Sequence, residues 1–149
     1  MVKRVIYPPM WLVFGIVTIF ALNEFYPGPR YTSLTGQLLG GALLVFGLAL
    51  LVFAGGTFRR AGNDLVPFKN VSMLVTGGVY RFTRNPMYLG MAAILLGSAV
   101  TVGAVTALAV PPLFMLVIQW RYIYPEEALL QGQFPEEYAT YRSRVRRWL

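Results

Sequence analysis

The sequence predicts an all-α integral membrane protein with about four transmembrane helices, a tight C-terminal hairpin and an interfacial amphipathic C-terminal helix. Hydrophobic residues make up 56% of the chain and charged residues 13%, whereas soluble domains carry about 25% charged residues. The apolar runs add up to about four segments of the roughly 20 residues that a helix needs to cross a bilayer. Basic residues cluster outside these runs, as they do in membrane proteins. We therefore expect residues 1–149 to form a single membrane unit.

The first two apolar runs are predicted to form two membrane-anchoring helices. One covers residues 5–22 and has a proline pair near its start, and the other covers residues 34–58. The short loop between them, residues 27–33, predicts an antiparallel pair. Gly36 and Gly40 have the spacing that allows close helix contact in lipid. Such a contact can form within one chain or between two chains of a dimer, so the sequence leaves the oligomeric state open.

A second pair of helices is predicted within residues 87–124. This apolar segment contains a single charged residue, Arg121. The segment is too long for one crossing and about right for two. We place the turn within residues 101–106, around Gly103, and expect the prolines at 111–112 to kink the last span. A turn at the proline pair itself is the alternative. Either turn produces a tight hairpin.

The C-terminal tail, residues 125–149, is predicted to end in an amphipathic helix at the membrane interface. This helix begins at about Pro135, which suits a first helical position and is followed by two glutamates. Aromatic and apolar residues recur at helical spacing and define one face: Tyr138, Tyr141, Val145 and Trp148. We interpret the two tyrosines as interfacial packing and the tail arginines as contacts to anionic lipid.

The distribution of basic residues predicts the orientation of the chain. Of the 13 Lys and Arg residues, all but Arg30 lie near the N-terminus, in the polar loop over residues 59–85, or between Arg121 and the C-terminus. Cytoplasmic flanks collect Lys and Arg, so we expect both termini and the polar loop to be cytoplasmic. The loop also contains apolar residues, which predicts that it folds against the membrane face.

The residue inventory excludes several kinds of chemistry. The sequence has no Cys and no His, which excludes disulfides, thiolate nucleophiles, imidazole bases and the usual Zn or Fe ligands. A formal net charge of +7 would suggest nucleic acid for a soluble chain, but orientation in a membrane explains it here. We therefore predict neither a metal site nor a nucleic-acid partner.

Two polar clusters mark the candidate site. One follows the last span and the other precedes the third: Arg121, Glu126 and Glu127, and Arg81, Arg84 and Asn85. In a hairpin both clusters lie at one membrane depth, where ionisable groups are costly unless they are paired or functional. They suit a charged or zwitterionic small molecule, best a cofactor with its own reactive group. The alternative is that the arginines only reach towards lipid phosphates.

The residues around both clusters resemble a known family. The stretch LVTGGVYRFTRNPMYLG, residues 74–90, is followed after a hydrophobic hairpin by PEEALLQGQFPEEYATYRSRVRRWL, residues 125–149. Together they resemble the isoprenylcysteine carboxyl methyltransferase and phospholipid methyltransferase superfamily, with its Gly-x-Tyr, Arg-His/Asn-Pro-x-Tyr-x-Gly and Glu-Glu patterns. The resemblance makes residues 59–149 the cofactor-binding half and leaves residues 1–58 as the two anchor helices.

The resemblance implies an S-adenosylmethionine-dependent methyltransferase of the membrane interface. The cofactor-binding residues that it implies are Gly78, Tyr80, Arg84, Asn85, Pro86, Tyr88, Gly90, Glu126 and Glu127. The catalytic residues that it implies are Arg121 and Glu126. In this interpretation Arg84 pairs with the cofactor carboxylate, and the two glutamates hold its amino or ribose groups. Arg121 orients the acceptor, and an amine acceptor loses its proton to one of the glutamates.

The implied acceptor is a lipid or small hydrophobic molecule that enters from the bilayer. Prenylcysteine, phosphatidylethanolamine and hydrophobic thiols are all left open. Asn85 stands where eukaryotic carboxyl methyltransferases have His, which resembles bacterial members and predicts the cytoplasmic membrane of a prokaryote. Two alternatives are an NADPH-dependent membrane reductase of the sterol-reductase type and a non-catalytic protein that binds lipid head groups through its basic loop.

Overall fold

A computed structural model of the chain describes residues 6–69 and 71–149, and it contains both predicted anchor helices. Helix α1 spans Pro8–Phe25 and helix α2 spans Leu34–Arg60. Helix α1 begins at Pro8 because the fixed φ of proline suits a first helical position. The predicted start at residue 5 lies outside the described residues, and the predicted end at residue 22 is too early. Ser33 caps α2, since its Oγ accepts a hydrogen bond from Gly36 N at 3.0 Å.

The secondary-structure elements after α2 are also helical. Its elements, in order, are a 3-10 turn at Gly78–Arg81, α3 at Pro86–Val102, a 3-10 turn at Val105–Ala109, α4 at Val110–Ile118, a π-helical turn at Gln119–Ile123, α5 at Tyr124–Gln133 and α6 at Pro135–Arg144. Within the described ranges, β-type pairing is limited to an isolated bridge between Arg30 and Ala104. The predicted all-α class is confirmed.

Three described segments are long and apolar enough to cross a membrane. They are α1, α2 and the continuous helical segment Val105–Gln133. Helix α3 is apolar but has 17 residues, which is about 25 Å at 1.5 Å per residue and slightly less than a hydrocarbon core of about 30 Å. The protein is an integral membrane protein, and the count of four spans stays a prediction.

The turn after α3 lies where the sequence predicts it. Gly103 ends the helix with a φ of 74°, a left-handed conformation that glycine adopts without steric cost. The loop before α2 packs on this turn, because Tyr31 N donates a hydrogen bond to Gly103 O at 3.0 Å. The alternative turn at the proline pair is wrong. The predicted kink is wrong as well, because the prolines at 111–112 lie in the first turn of α4, where a missing N–H breaks no helical hydrogen bond.

Helix α3 packs most extensively on α2, and facing glycines form the contact. A Cβ atom placed on Gly47 would lie 2.6 Å from Gly90 O, and one on Gly97 would lie 2.7 Å from Gly40 O. Any side chain at these positions would therefore collide with backbone. Gly41, in contrast, faces open space. The small residues of α2 thus serve a contact within the chain, as such residues do between helices in lipid.

Helix α3 also contacts the other membrane helices. Within the described chain, α1 packs on α3 and α4 and makes little contact with α2. Ile19 of α1, Leu95 of α3 and Ile118 of α4 are fully buried in one apolar cluster. The predicted packing of the first two spans on each other is therefore wrong, although a short loop connects them. Helix α3 is the central helix of the fold.

The predicted amphipathic helix of the tail exists as α6, which begins at Pro135. It ends at Arg144, so Val145 and Trp148 do not continue its apolar face. Tyr138 and Tyr141 are buried and pack in one cluster with Ala54 and Tyr80. The interpretation of these tyrosines as interfacial packing is wrong, because protein rather than lipid covers this face of α6.

The polar loop after α2 is folded rather than extended. Asn63 is buried, and its Oδ1 accepts hydrogen bonds from Ser72 N at 2.7 Å and Met73 N at 3.2 Å. Its Nδ2 donates to Met73 O at 2.8 Å. The Phe68 ring stacks on that of Tyr122 with centroids 5.8 Å apart. The loop is thus held against the helical segment that leads into α5.

Candidate functional site

The chain enters α3 through a buried polar turn. Pro86 lies at the start of the helix and Asn85 is the N-cap residue. Thr83 is 2% exposed, and its Oγ1 accepts a hydrogen bond from Asn85 N at 3.2 Å. Proline at a helix start, preceded by short polar side chains, is the local signal for such a turn. The turn places Arg84 against α5 and α6.

Arg84 links α5 and α6 through the two terminal nitrogens of its guanidinium group. Its Nη2 lies 3.4 Å from Glu127 Oε1 in α5, and its side chain is 9% exposed. Its Nη1 donates a hydrogen bond to Tyr138 OH in α6 at 3.1 Å. A buried cation needs such partners, because an unpaired one costs several kcal/mol. The predicted meeting of Arg84 with Glu127 is thus present.

A second contact joins α3 to α5. Tyr88 OH donates a hydrogen bond to Glu126 Oε1 at 2.8 Å, and Tyr88 is 8% exposed. The two consecutive glutamates of α5 therefore meet two different residues at the start of α3. Of the two polar clusters that the sequence predicted, Arg84 and the two glutamates therefore come together here.

Arg147, from the segment after α6, adds a second cation. Its Nε and Nη2 each donate a 2.9 Å hydrogen bond, one to each carboxylate oxygen of Glu127. Its guanidinium carbon lies 4.8 Å from the ring centroid of Tyr124. The hydrogen-bonded Glu127 carboxylate raises the pKa of Arg147 above its ordinary value. We call Arg84, Glu126, Glu127 and Arg147 the charged junction.

Two buried polar atoms, one in the junction and one near it, have no hydrogen-bond partner among the described residues. They are Tyr80 OH and Arg84 Nε. Burial, and to a smaller extent Tyr141 and Glu126, raise the pKa of Tyr80 well above its usual value, so its hydroxyl stays neutral. Buried polar groups are almost always hydrogen-bonded. These two atoms therefore mark hydrogen-bonding capacity that a polar ligand can use.

The junction offers two cations, two carboxylates and neutral hydroxyls in a largely buried setting. Such a set suits a zwitterionic ligand, because each charge of the ligand finds an opposite charge. In the part of the chain that the structure describes, no three Asp or Glu side chains lie close enough together to hold a metal ion.

Some predicted site residues serve the backbone around the junction. Gly78 opens the first 3-10 turn with a φ of 59°, which favours glycine. Asn85 Nδ2 donates to Arg147 O at 3.0 Å, so this amide holds the tail. Gly90 lies in the glycine contact with α2, so close packing of the two helices requires a residue without a side chain there. Their roles in cofactor binding stay predictions.

Arg121 lies in the π-helical turn between α4 and α5. Its side chain is exposed, whereas its neighbours Tyr122 and Ile123 are buried. The salt bridges to Glu127 come from Arg84 and Arg147 instead. The catalytic role of Arg121 stays a prediction.

The sequence does not predict two residues of this region, Arg147 in the junction and Tyr138 beside it. Arg147 is one of four arginines in a basic tail, for all of which the sequence predicts lipid contacts. Its bidentate pairing with Glu127 corrects that interpretation. The sequence predicts Tyr138 at the membrane interface, but its hydroxyl accepts a hydrogen bond from Arg84. Helical spacing carried no signal for either contact, because both depend on how the tail folds back.

A separate cleft of about 750 Å³ lies between α6 and the segment around the first 3-10 turn. Its lining residues are Leu74, Thr76, Arg81, Glu136, Glu137, Thr140, Tyr141, Arg144 and Val145. No residue of the charged junction is among them. Arg81, which the sequence grouped with Arg84, therefore belongs to a different surface.

The fold and site define a class: a helical integral membrane protein whose charged groups are paired and largely buried where α3 begins. The chain matches the family model described as phospholipid methyltransferase over residues 35–137. It belongs to this family. The matched range includes Arg84, Glu126 and Glu127 of the junction and ends before Arg147. The predicted membership of the superfamily is confirmed.

Two known proteins are similar to the chain. The structure of the eukaryotic intramembrane Ras methyltransferase, isoprenylcysteine carboxyl methyltransferase, has the same fold with a TM-score of 0.66 and 24% sequence identity. The similarity covers 95% of this chain and 51% of that chain, so the present chain spans about half its length. An uncharacterized protein of Haemophilus influenzae is 40% identical over 63 residues, which is 42% of this chain and 100% of the relative.

Proposed function

We propose that the protein transfers a methyl group from S-adenosylmethionine to a lipid or small hydrophobic acceptor at the membrane interface. The observation that carries the proposal is the charged junction, in which Arg84 meets Glu127 and Tyr88 meets Glu126. Membership of a methyltransferase family supports it, since such enzymes generally use this cofactor.

The residues of the junction fit the charges of the cofactor. Arg84 is the proposed partner of its carboxylate, because its buried Nε has no hydrogen-bond partner among the described residues. Glu126 and Glu127 are the proposed acceptors for its amino and ribose hydroxyl groups. Tyr80 OH, also without a described partner, is a further proposed donor. Gly78, Asn85, Pro86, Tyr88 and Gly90 complete the proposed binding set.

The protein's part in the reaction is to bind, orient and exclude water. S-adenosylmethionine supplies an electrophilic sulfonium methyl group when it is bound. The sequence has no Cys or His, so direct attack by the acceptor is the proposed route, and proximity with desolvation supplies the acceleration. A carboxylate or thiolate acceptor needs no base, whereas an amine gives its proton to Glu126. Arg121 is the proposed orienting group for the acceptor.

The proposed orientation follows the charge distribution. Both termini, the polar loop and the site lie on the cytoplasmic side, because basic flanks stay on that side. The cofactor then enters from the cytosol and the acceptor from the bilayer.

Calorimetric titration of the detergent-purified protein tests the proposal. We expect micromolar binding of S-adenosylmethionine and S-adenosylhomocysteine, weakened about tenfold or more by Glu127→Gln or Glu126→Gln, since each loses a charged acceptor. The matched control is Glu137→Gln, an exposed glutamate of α6, which should bind as the wild type does. NADPH is titrated in parallel. Failure of the folded wild type to bind either adenosylated ligand would overturn the proposal, and binding of NADPH instead would favour the reductase alternative.

A further inference from the structure

The segment after α6 forms a strap across the start of α3. We define the strap as Arg146, Arg147 and Trp148. Arg84 N donates a hydrogen bond to Arg146 O at 2.9 Å. Thr83 Oγ1 and Asn85 Nδ2 both donate to Arg147 O, at 3.1 Å and 3.0 Å. The backbone of the strap therefore binds the turn that places Arg84.

The strap is also anchored on the opposite side of the junction. Trp148 Nε1 donates a hydrogen bond to Gln119 Oε1 at 2.9 Å. Gln119 Nε2 in turn donates to Tyr124 OH at 3.1 Å, and the Arg147 guanidinium lies over that tyrosine ring. These contacts thus hold the side chain of Arg147 in place in addition to its contact with Glu127.

The two arginines of the junction hold Glu127 unequally. Arg147 engages both carboxylate oxygens at 2.9 Å, while Arg84 approaches one of them at 3.4 Å. A bidentate contact fixes the rotation of a carboxylate as well as its position. The orientation of Glu127 is therefore set by Arg147.

We propose that Arg147 is a positioning residue of the cofactor site: by holding Glu127 bidentately, it keeps Glu127 from closing the same pair with Arg84. Without Arg147, the nearest cation for Glu127 is Arg84, and a closed pair would occupy the guanidinium that the proposed function assigns to the ligand carboxylate. In this proposal Arg147 acts through Glu127 and does not itself contact the ligand. The inference rests on the proposed function.

The primary test compares Arg147→Gln with Arg144→Gln, an exposed arginine at the end of α6 that loses the same charge. S-adenosylhomocysteine is titrated calorimetrically into each detergent-purified variant, and both Kd and the stoichiometry are measured. We expect Kd to rise about tenfold in Arg147→Gln, the scale of a lost charge-assisted contact, with unchanged stoichiometry and with the Arg144 variant unchanged. A purely structural role would instead lower the stoichiometry and leave Kd as it is, which would overturn the inference.

A second variant keeps the test decisive if Arg147→Gln does not fold. Arg147→Lys keeps the charge but cannot make the bidentate contact, so we expect a smaller rise in Kd, about threefold or more. A folded Lys variant with wild-type Kd would contradict the inference. Once an acceptor is in hand, KM for S-adenosylmethionine should rise while kcat changes little, because Arg147 positions a binding group only.

Failure of this inference differs from failure of the proposed function. If the folded wild type binds no adenosylated ligand, the proposed function fails and the inference with it. If the wild type binds and Arg147→Gln binds equally well, the proposed function stands and the positioning role of Arg147 is wrong.

Discussion

Helix α3 is held in two different ways at two places along its length. Along α2, Gly90 and Gly97 face Gly47 and Gly40 so closely that a single Cβ atom would collide with backbone. At its start, Arg84 and Tyr88 meet the two glutamates of α5 through charge and hydrogen bonds. Shape alone specifies the first contact, and chemical complementarity specifies the second.

The difference follows from the surroundings of each contact. Between helices in lipid there is little hydrophobic driving force, so close packing of small residues has to supply the association. Charged groups are costly at membrane depth unless they are paired, so the junction can exist only as a mutually satisfied set. We expect the glycine contact to tolerate no added atoms, and the junction to require both the charges of its residues and the geometry of their contacts.

The largest expected effect comes from adding a side chain to the glycine contact. In Gly47→Val the new Cβ would lie 2.6 Å from Gly90 O and 2.9 Å from Ile94 N. Backbone cannot give way as a flexible side chain can, so we expect a loss of about 3 kcal/mol or more. Yield of monodisperse protein in detergent and thermal unfolding measure it.

Gly41→Val is the matched control for this substitution. Gly41 lies on the same helix and a Cβ there meets nothing within 4 Å. We expect its stability to change by no more than about 0.5 kcal/mol. Equal losses at both positions would show that valine disturbs α2 itself, and the close contact with α3 would not be the cause.

A smaller effect is expected where one neutral hydrogen bond supports the junction. Tyr141 OH donates to Tyr80 O at 2.6 Å, and both groups are buried. Tyr141→Phe leaves that carbonyl without a donor, so we expect a loss of about 1 to 1.5 kcal/mol, or a few degrees in Tm. Tyr26→Phe, at a tyrosine that is 74% exposed, is the control and should not change Tm. A Tyr141→Phe variant as stable as the wild type would mean that the hydrogen bond from Tyr141 to Tyr80 contributes nothing to the stability of the protein.

Elements with local signals were predictable from the sequence. Ser33 and the apolar run after it specify the start of α2, Gly103 specifies the turn after α3, and Pro135 specifies the start of α6. Each of these depends on the conformational preference of one or two residues. The end of α1 is predicted too early because the polar residues Asn23 and Glu24, which suggest a boundary, belong to its last turn.

Contacts made by the folded-back tail were not predictable in the same way. Any of the four tail arginines could have paired with Glu127 as far as spacing shows, and the structure selects Arg147. Arg121 lies close to the glutamates in sequence, yet Arg84 is the residue of the two that forms a salt bridge with Glu127. The positions of these charges depend on how α3, α5 and the tail meet, which is a property of the assembled fold.

The smallest expected effect comes from an ion pair outside the junction. This pair tests whether burial or interatomic distance decides how much an ion pair contributes to stability. Lys69 Nζ lies 2.6 Å from Asp64 Oδ2, closer than the 2.9 Å of Arg147 to Glu127. The side chains of Lys69 and Asp64 are 59% and 47% exposed, against 28% and 13% for Arg147 and Glu127. Water screens the exposed pair, so we expect no measurable change in Tm for Asp64→Asn.

Acid provides a further check on the exposed pair. The hydrogen bond from Lys69 holds the pKa of Asp64 below its ordinary value of 3.8. Because the folded pKa is lowered, any stabilisation by the pair is present above that value and disappears as the pH falls through the folded pKa. Any difference in Tm between wild type and Asp64→Asn should therefore be confined to pH values above the folded pKa of Asp64, where we expect it to be too small to measure, and should be absent in acid. A loss at neutral pH as large as that of Tyr141→Phe would show that distance, and not burial, decides the strength of ion pairs in this protein.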